Sequence, residues 1–104
     1  MTPTQRSLKH LREHGMVAAV VERWNPHAKV RQDLFGCIDI LCLTPLGETV
    51  GVQATSMSNV SKRITKMSES EHIGAMRRCG WRLLVHGWGK GSNGRIRLRE
   101  VDVS

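Results

Sequence analysis

"CIDILCL", residues 37–43, decides the fold. Six of its seven residues are apolar, a density that reads as a strand buried on both faces. Asp39 interrupts the run. A carboxylate inside a protein is held by an ion pair, by hydrogen bonds or by a metal. The flanking segments supply its neighbours.

Downstream, "TPLGE" (44–48) carries Pro and Gly and reads as a turn. "TVGVQAT" (49–55) alternates with period two. Val50, Val52 and Ala54 share one face, and Thr49, Gly51, Gln53 and Thr55 share the other. A hairpin closed by the five-residue turn pairs Leu43 with Thr49. Counting back, Asp39 then opposes Gln53 and Cys37 opposes Thr55. A slip of two residues would keep Asp39 and Gln53 on one face; a slip of one would part them. The spacing thus predicts a polar cluster of Asp39, Gln53 and Thr55 on an apolar hairpin.

Upstream, "MVAAVVERW" (16–24) follows Gly15, and its valines favour a strand over a helix. "NPHAK" (25–29) is a loop. "QRSLKHLREH" (5–14) is a helix with Thr4 as N-cap, Leu8 and Leu11 on one face and Gly15 as its stop. Residues 58–79 are helical, with Val60, Ile64 and Met67 on one stripe. "SESE" (68–71) is a capping box that restarts the helix after a kink, and Gly80 ends it. "WRLLVHGW" (81–88) and "RIRLREVDV" (95–103) are strands joined by the glycine-rich turn "GKGSNG". The order α, β, β, β, α, β, β implies a mixed sheet with helical cover, an α/β (α+β) domain spanning residues 1–104.

Composition narrows the function. Apolar residues make up 39% of the chain, which argues against disorder. The formal charge of +7 and pI of about 10.2 suggest a polyanionic partner, most simply nucleic acid. The basic residues group as Lys62, Arg63 and Lys66; Arg77, Arg78 and Arg82; and Arg95, Arg97 and Arg99, rows that could track phosphates. Cys37, Cys42 and Cys79 form no C-x-x-C, a pattern of reduced thiols rather than a disulfide framework or zinc site. "MVAAVV" is too short to span a bilayer, and the first residues lack an apolar signal region. The expectation is a soluble, cytoplasmic protein with no membrane partner.

Two further acids lie close in sequence: Asp33 in "RQDLFG" and Glu22 in "VERW". Either one beside Asp39 would make a hard, oxygen-rich site suited to Mg²⁺ or Mn²⁺. Next to a basic surface, the natural reaction is metal-assisted phosphodiester hydrolysis. The competing role for Asp39 is internal, satisfied by the backbone or by an arginine such as Arg31.

"FGCIDILCL…TVGVQATS" resembles the PD-(D/E)xK nuclease superfamily, nearest to its Holliday-junction-resolvase-like and VRR-NUC-like branches, which include small phage-borne proteins. In those families a glycine precedes an apolar strand bearing an aspartate, and after a turn a second strand ends in E-x-K. The resemblance spans about residues 5–103 and implies a restriction-endonuclease-like αβββαβ core. It makes Asp39, after Gly36, the metal-binding aspartate. Gln53 falls at the second acid and Thr55 at the lysine, so "QAT" stands where E-x-K is usual. Asp33 or Glu22 would supply an extra carboxylate. Glu13 is the only acid in the first helix, where the family carries a glutamate. Gln53 offers a carbonyl ligand without charge, and Thr55 brings no positive charge to a transition state. Lys62 and Lys66 are four apart on one helix face, and one of them is expected to replace the missing lysine. The resemblance implies an Mg²⁺- or Mn²⁺-dependent endonuclease acting on duplex or branched DNA. A homodimer is expected, because so small a chain can hardly clamp a duplex alone. Its rivals are a degenerate nucleic-acid-binding module and a phage protein-interaction factor on the same fold.

Three other features carry less. "HLREH" (10–14) matches H-x-x-E-H and puts His10 and His14 on one helix face, but no third zinc ligand accompanies them. "GKGSNG" contains G-x-G-x-x-G, yet a strand rather than a helix follows. Trp24, Trp81 and Trp88 read as core rather than as base-stacking platforms.

Overall fold

The computed structural model describes all residues, 1–104. The elements are α1 (Pro3–Glu13), β1 (Val17–Val20), β2 (Arg23–Asn25), β3 (Val30–Gln32), β4 (Ile40–Leu43) and β5 (Thr49–Ser56). A 3-10 turn (Met57–Asn59), α2 (Val60–Ser68), α3 (Ile73–Arg78), β6 (Arg82–Lys90) and β7 (Ile96–Asp102) follow. Five strands form one mixed sheet in the order β1-β4-β5-β6-β7, while β2 and β3 pair apart from it. β5 and β6 run parallel, connected through α2 and α3; the other neighbours are antiparallel.

The sheet separates two apolar layers. Leu11 of α1 packs with Ala18, Ile40, Cys42, Val50, Val52 and Leu84 on one side. Val60 and Met67 of α2 and Met76 of α3 pack with Cys37, Ile38, Leu83 and Val85 on the other. The period-two alternation of β5 produces this division: Val50 and Val52 face α1, and Gly51 faces away. A side chain at Gly51 would meet Ile38 Cδ1 at 2.7 Å. Gly87 of β6 lies directly beneath Val60, where any Cβ would collide with it, so this glycine lets α2 settle on the sheet.

The hairpin register is the expected one, with Leu43 opposite Thr49 and Ile40 opposite Val52. The strand is shorter than its apolar run. It starts at Ile40, because Leu34 and Ile38 close a tight loop through reciprocal backbone hydrogen bonds. Phe35 and Gly36 sit in that loop at φ 54° and 77°. Cys37 is drawn into the loop and does not oppose Thr55. Asp39 remains tied to both neighbours: its N–H donates to Val52 O at 2.9 Å, and its carbonyl accepts from Val21 N at 2.8 Å.

Other boundaries also move. "MVAAVVERW" divides, because Trp24 pairs with Arg31 in the β2–β3 hairpin. Asn25 Oδ1 accepts from the His27 and Ala28 N–H groups and turns the chain there. Trp24 lies on this hairpin at 55% exposure, so it is not core, whereas Trp81 and Trp88 are half-buried. The N-cap of α1 is Thr2, not Thr4. Its hydroxyl accepts from Gln5 N, the Gln5 side chain accepts from Thr2 N, and Pro3 fills the first helical position. The helix breaks at "SESE" as expected but forms no capping box. The Ser70 hydroxyl instead donates to Phe35 O at 3.0 Å, and α3 starts without a side-chain cap. No helix is long and apolar enough to cross a membrane.

Candidate metal centre

Three carboxylates converge where β1, β3 and β4 meet. Glu22 comes two residues after β1, Asp33 immediately follows β3, and Asp39 immediately precedes β4. Their oxygens lie within 4.8 Å of one another. Asp39 is 3% exposed, and the other two are half-buried. The β2–β3 hairpin, which the sequence pattern did not reveal, carries the chain from Glu22 round to Asp33.

Each acid has partners. Asp39 Oδ2 accepts from Gln53 Nε2 at 2.6 Å and from Ala54 N at 2.9 Å. Lys66 Nζ of α2 donates to Asp33 Oδ2 at 2.7 Å. Arg31 Nη1 lies 3.6 Å from Glu22 Oε1, so this arginine serves Glu22 and not Asp39. Burial pushes the Asp39 carboxyl up to about 8, reinforced by its contact with Asp33 and the charge of Glu22. Burial also acts to raise Asp33, but the hydrogen bond from Asp39 and the Lys66 ammonium outweigh it and hold Asp33 below the usual range. These opposite shifts favour the proton on Asp39 and the charge on Asp33. With Lys66 on Asp33 and Arg31 beside Glu22, the cluster balances its own charge.

The donor set fits a hard divalent cation. It is all oxygen, with no imidazole or thiolate. Gln53 is 2% exposed, and its Oε1 is the one buried side-chain polar atom without a hydrogen-bond partner. A buried acceptor left unpaired costs about 1–3 kcal/mol, which a cation or a bound water would relieve. Glu22, Asp33, Asp39 and Gln53 are the residues that would hold Mg²⁺ or Mn²⁺. Binding would displace the Asp39 proton.

The remaining candidates fall in different places. Thr55 is buried two residues beyond Gln53 and makes no hydrogen bond to the acids. Of the two lysines, Lys66 reaches the cluster, while Lys62 is exposed and forms no ion pair. Arg63 is close enough to add to the field that keeps Asp33 ionised. Arg97 and Arg99 lie opposite Gly89 and Gly87. They therefore share the α2 side of the sheet with the acids. Arg78, Arg95, Arg97 and Arg99 are exposed. Arg77 donates to Val103 O at 2.8 Å, and Arg82 pairs with Glu48 and Asp102. In "HLREH", His14 Nδ1 donates to His10 O at 2.7 Å, and the acid cluster is the only group of three close metal-donor side chains.

A second buried polar chain lies across the sheet, under α1. Trp88 Nε1 donates to Ser7 Oγ at 2.8 Å, and Ser7 Oγ lies 2.9 Å from His86 Nδ1. His86 Nε2 lies 2.9 Å from Glu100 Oε2. Because the Glu100 carboxylate can only accept, Nε2 carries the proton, and in the neutral imidazole Nδ1 accepts from the Ser7 hydroxyl. Ser7 and His86 stand 79 residues apart, and the only trace in sequence is a histidine inside an apolar strand. No protein-family profile matches the chain, and no curated protein or solved structure is significantly similar to it.

Proposed function

We propose that this chain is a small metal-dependent endonuclease that hydrolyses phosphodiester bonds of duplex or branched DNA on a restriction-endonuclease-like core. The observation that carries the reading is the convergence of Glu22, Asp33 and Asp39 from three segments to within 4.8 Å. Bound Mg²⁺ or Mn²⁺ would polarise the scissile phosphate and lower the pKa of the attacking water. Lys66 brings positive charge from α2 to the place where "QAT" provides none. Arg97 and Arg99, on the same side of the sheet, give the DNA backbone a cationic track. A homodimer would extend that track over a duplex. The free thiols of Cys37, Cys42 and Cys79 suit a reducing, cytoplasmic setting.

One observation favours a second reading, a module that binds DNA without cutting it. Lys66 already occupies Asp33, and Arg31 stands beside Glu22. Cleavage of duplex and branched DNA with Mg²⁺ or Mn²⁺, compared between wild type and Asp39→Ala, separates the two. Metal-dependent cutting that the substitution abolishes supports the nuclease. No cutting with either metal defeats it, and salt-sensitive binding alone leaves the module. Absence of both would favour a protein-interaction factor.

A further inference from the structure

Phe35 breaks two rules at once. Its φ of 54° lies in the left-handed region, a genuine outlier for a bulky side chain. The residue is also 43% exposed. Yet the position is held firmly, since the Phe35 carbonyl accepts from Ser70 Oγ and the loop is closed by the Leu34–Ile38 bridge. The ring stands 6.0 Å from Trp81 and 5.5 Å from His72, centroid to centroid. Together with Ala75, Met76 and Cys79 these rings line an apolar cleft of about 150 Å³. Pockets for drug-sized ligands measure roughly 300–1,000 Å³, so this smaller cleft suits one flat ring system.

Shared lining residues place the cleft two depressions away from the metal centre. A polar depression lined by Arg31, Gln32, Asp33, Gly36 and Lys66 shares Gly36 with a second one lined by Phe35, Ser70, Glu71 and His72, where Glu71 pairs with His72. Phe35 and His72 in turn line the aromatic cleft. A nucleotide strand with its phosphate at the acids would have its neighbouring base beside Phe35.

We propose that the Phe35–His72–Trp81 cleft takes an unpaired nucleobase of the strand whose phosphate lies at the acid cluster. This rests on the nucleic-acid reading above and narrows it to substrates that expose an unstacked base, such as gaps, flaps and branch points. Aromatic faces stack on any base, so the cleft confers a preference for structure rather than for sequence.

The test is binding without divalent metal, using a duplex with one unpaired 2-aminopurine and a fully paired duplex of equal length. The expected result is quenching of the unpaired probe and tighter binding of the gapped duplex. Phe35→Leu, which keeps the apolar bulk but removes the ring, should weaken gapped-duplex binding roughly tenfold and leave paired-duplex binding unchanged. Exposed Cys79 gives a readout in the unsubstituted protein: the gapped duplex should slow its maleimide labelling, with buried Cys37 and Cys42 as internal controls. Equal losses on both duplexes, or no loss in Phe35→Leu, would overturn the cleft and leave the nuclease reading standing. Binding of neither DNA would overturn the cleft, while the cleavage assay with Mg²⁺ or Mn²⁺ decides the nuclease reading separately. Loss of self-association in Phe35→Leu, with DNA binding intact, would assign the cleft to a second copy of the chain and overturn the base site.

Discussion

Gln53 Nε2 donates to Asp39 Oδ2 at 2.6 Å, across the β4–β5 hairpin. With Ala54 N on the same oxygen, this bond aims the buried carboxyl at Asp33 and Glu22. It also leaves the other end of the Gln53 amide unpaired. One contact thus joins the two strands beside the acids and leaves a buried acceptor free.

The proton on Asp39 makes stability pH-dependent. The folded carboxyl holds it to about pH 8, whereas the unfolded chain releases it around 3.8. Between those values the unfolded state binds fewer protons, so this group's contribution to stability falls as pH rises. In EDTA the melting temperature should therefore decline from about pH 5 to about pH 9, and Asp39→Asn should flatten the decline. A variant with the same slope as wild type would show that Asp39 ionises freely.

Metal binding should reverse that loss. Mn²⁺ at roughly a hundredfold over its dissociation constant stabilises by about 2.7 kcal/mol, a melting shift on the order of 10 °C for a domain of this size. The shift should be larger on the alkaline side, where the Asp39 proton leaves more readily. Asp39→Ala should abolish it. Differential scanning fluorimetry across pH checks both, and an equal shift in the variant would remove the acids from metal binding.

Lys66 and Lys62 looked equivalent on the helix face, and the structure separates them. Lys66→Ala should slow cleavage by roughly a hundredfold or more, as losing a charge-stabilising group does. The Mn²⁺ melting shift should persist, because the carboxylates remain. Lys62→Ala should cut within about twofold of wild type, since surface side chains of this kind contribute little. Single-turnover rates decide between them, and equal losses from both would point to general electrostatics.

Where the chain folded on itself nearby, its pattern was readable. Asp39 and Gln53 were legible because a short turn and period-two alternation fix a hairpin register within a few residues. The basic surface was legible because charge patterning survives any fold. Asp33 and Glu22 could be suspected but not placed, since their approach depends on a hairpin of two three-residue strands with little strand signal in "RWN" and "VRQ". The loop at Phe35 was hidden for a related reason. Six apolar residues out of seven look like strand to the end, and nothing local shows that Leu34 and Ile38 close a loop. The pairing of Lys66 with Asp33 spans 33 residues and is set by how α2 lands over Gly87.

DNA affinity should separate the free arginines from the tied ones. Arg97 is exposed on an edge strand and makes no ion pair, whereas Arg82 is held by Glu48 and Asp102. Arg97→Ala should lower the slope of log affinity against log salt by about one unit. Arg82→Ala should change it little. Fluorescence anisotropy across a salt series measures both slopes, and a larger change at Arg82 would move the phosphate track to the other end of β6.

The Trp88–Ser7–His86–Glu100 chain should control stability without controlling cleavage. All its hydrogen bonds are satisfied with His86 neutral, and it ties α1 to β6 and β7. Burial lowers the His86 pKa from 6.5; the Glu100 carboxylate opposes that effect, and the neighbouring His10 adds to it. Below about pH 6.5 the unfolded chain takes up a proton that the folded chain resists, so this group's contribution to stability falls as pH drops. Its sign is opposite to that of Asp39. Ser7→Ala removes one oxygen and strands two buried groups, His86 Nδ1 and Trp88 Nε1. The expected cost is about 1–3 kcal/mol, or a melting temperature lower by roughly 5–20 °C. Because Ser7 lies across the sheet from Asp39, cleavage well below the melting point should be unchanged. An unaltered melting temperature would mean that α1 docks through Leu11 and its apolar neighbours alone. Lost cleavage in a folded Ser7→Ala protein would mean that the two faces of the sheet are coupled through β5 and β6.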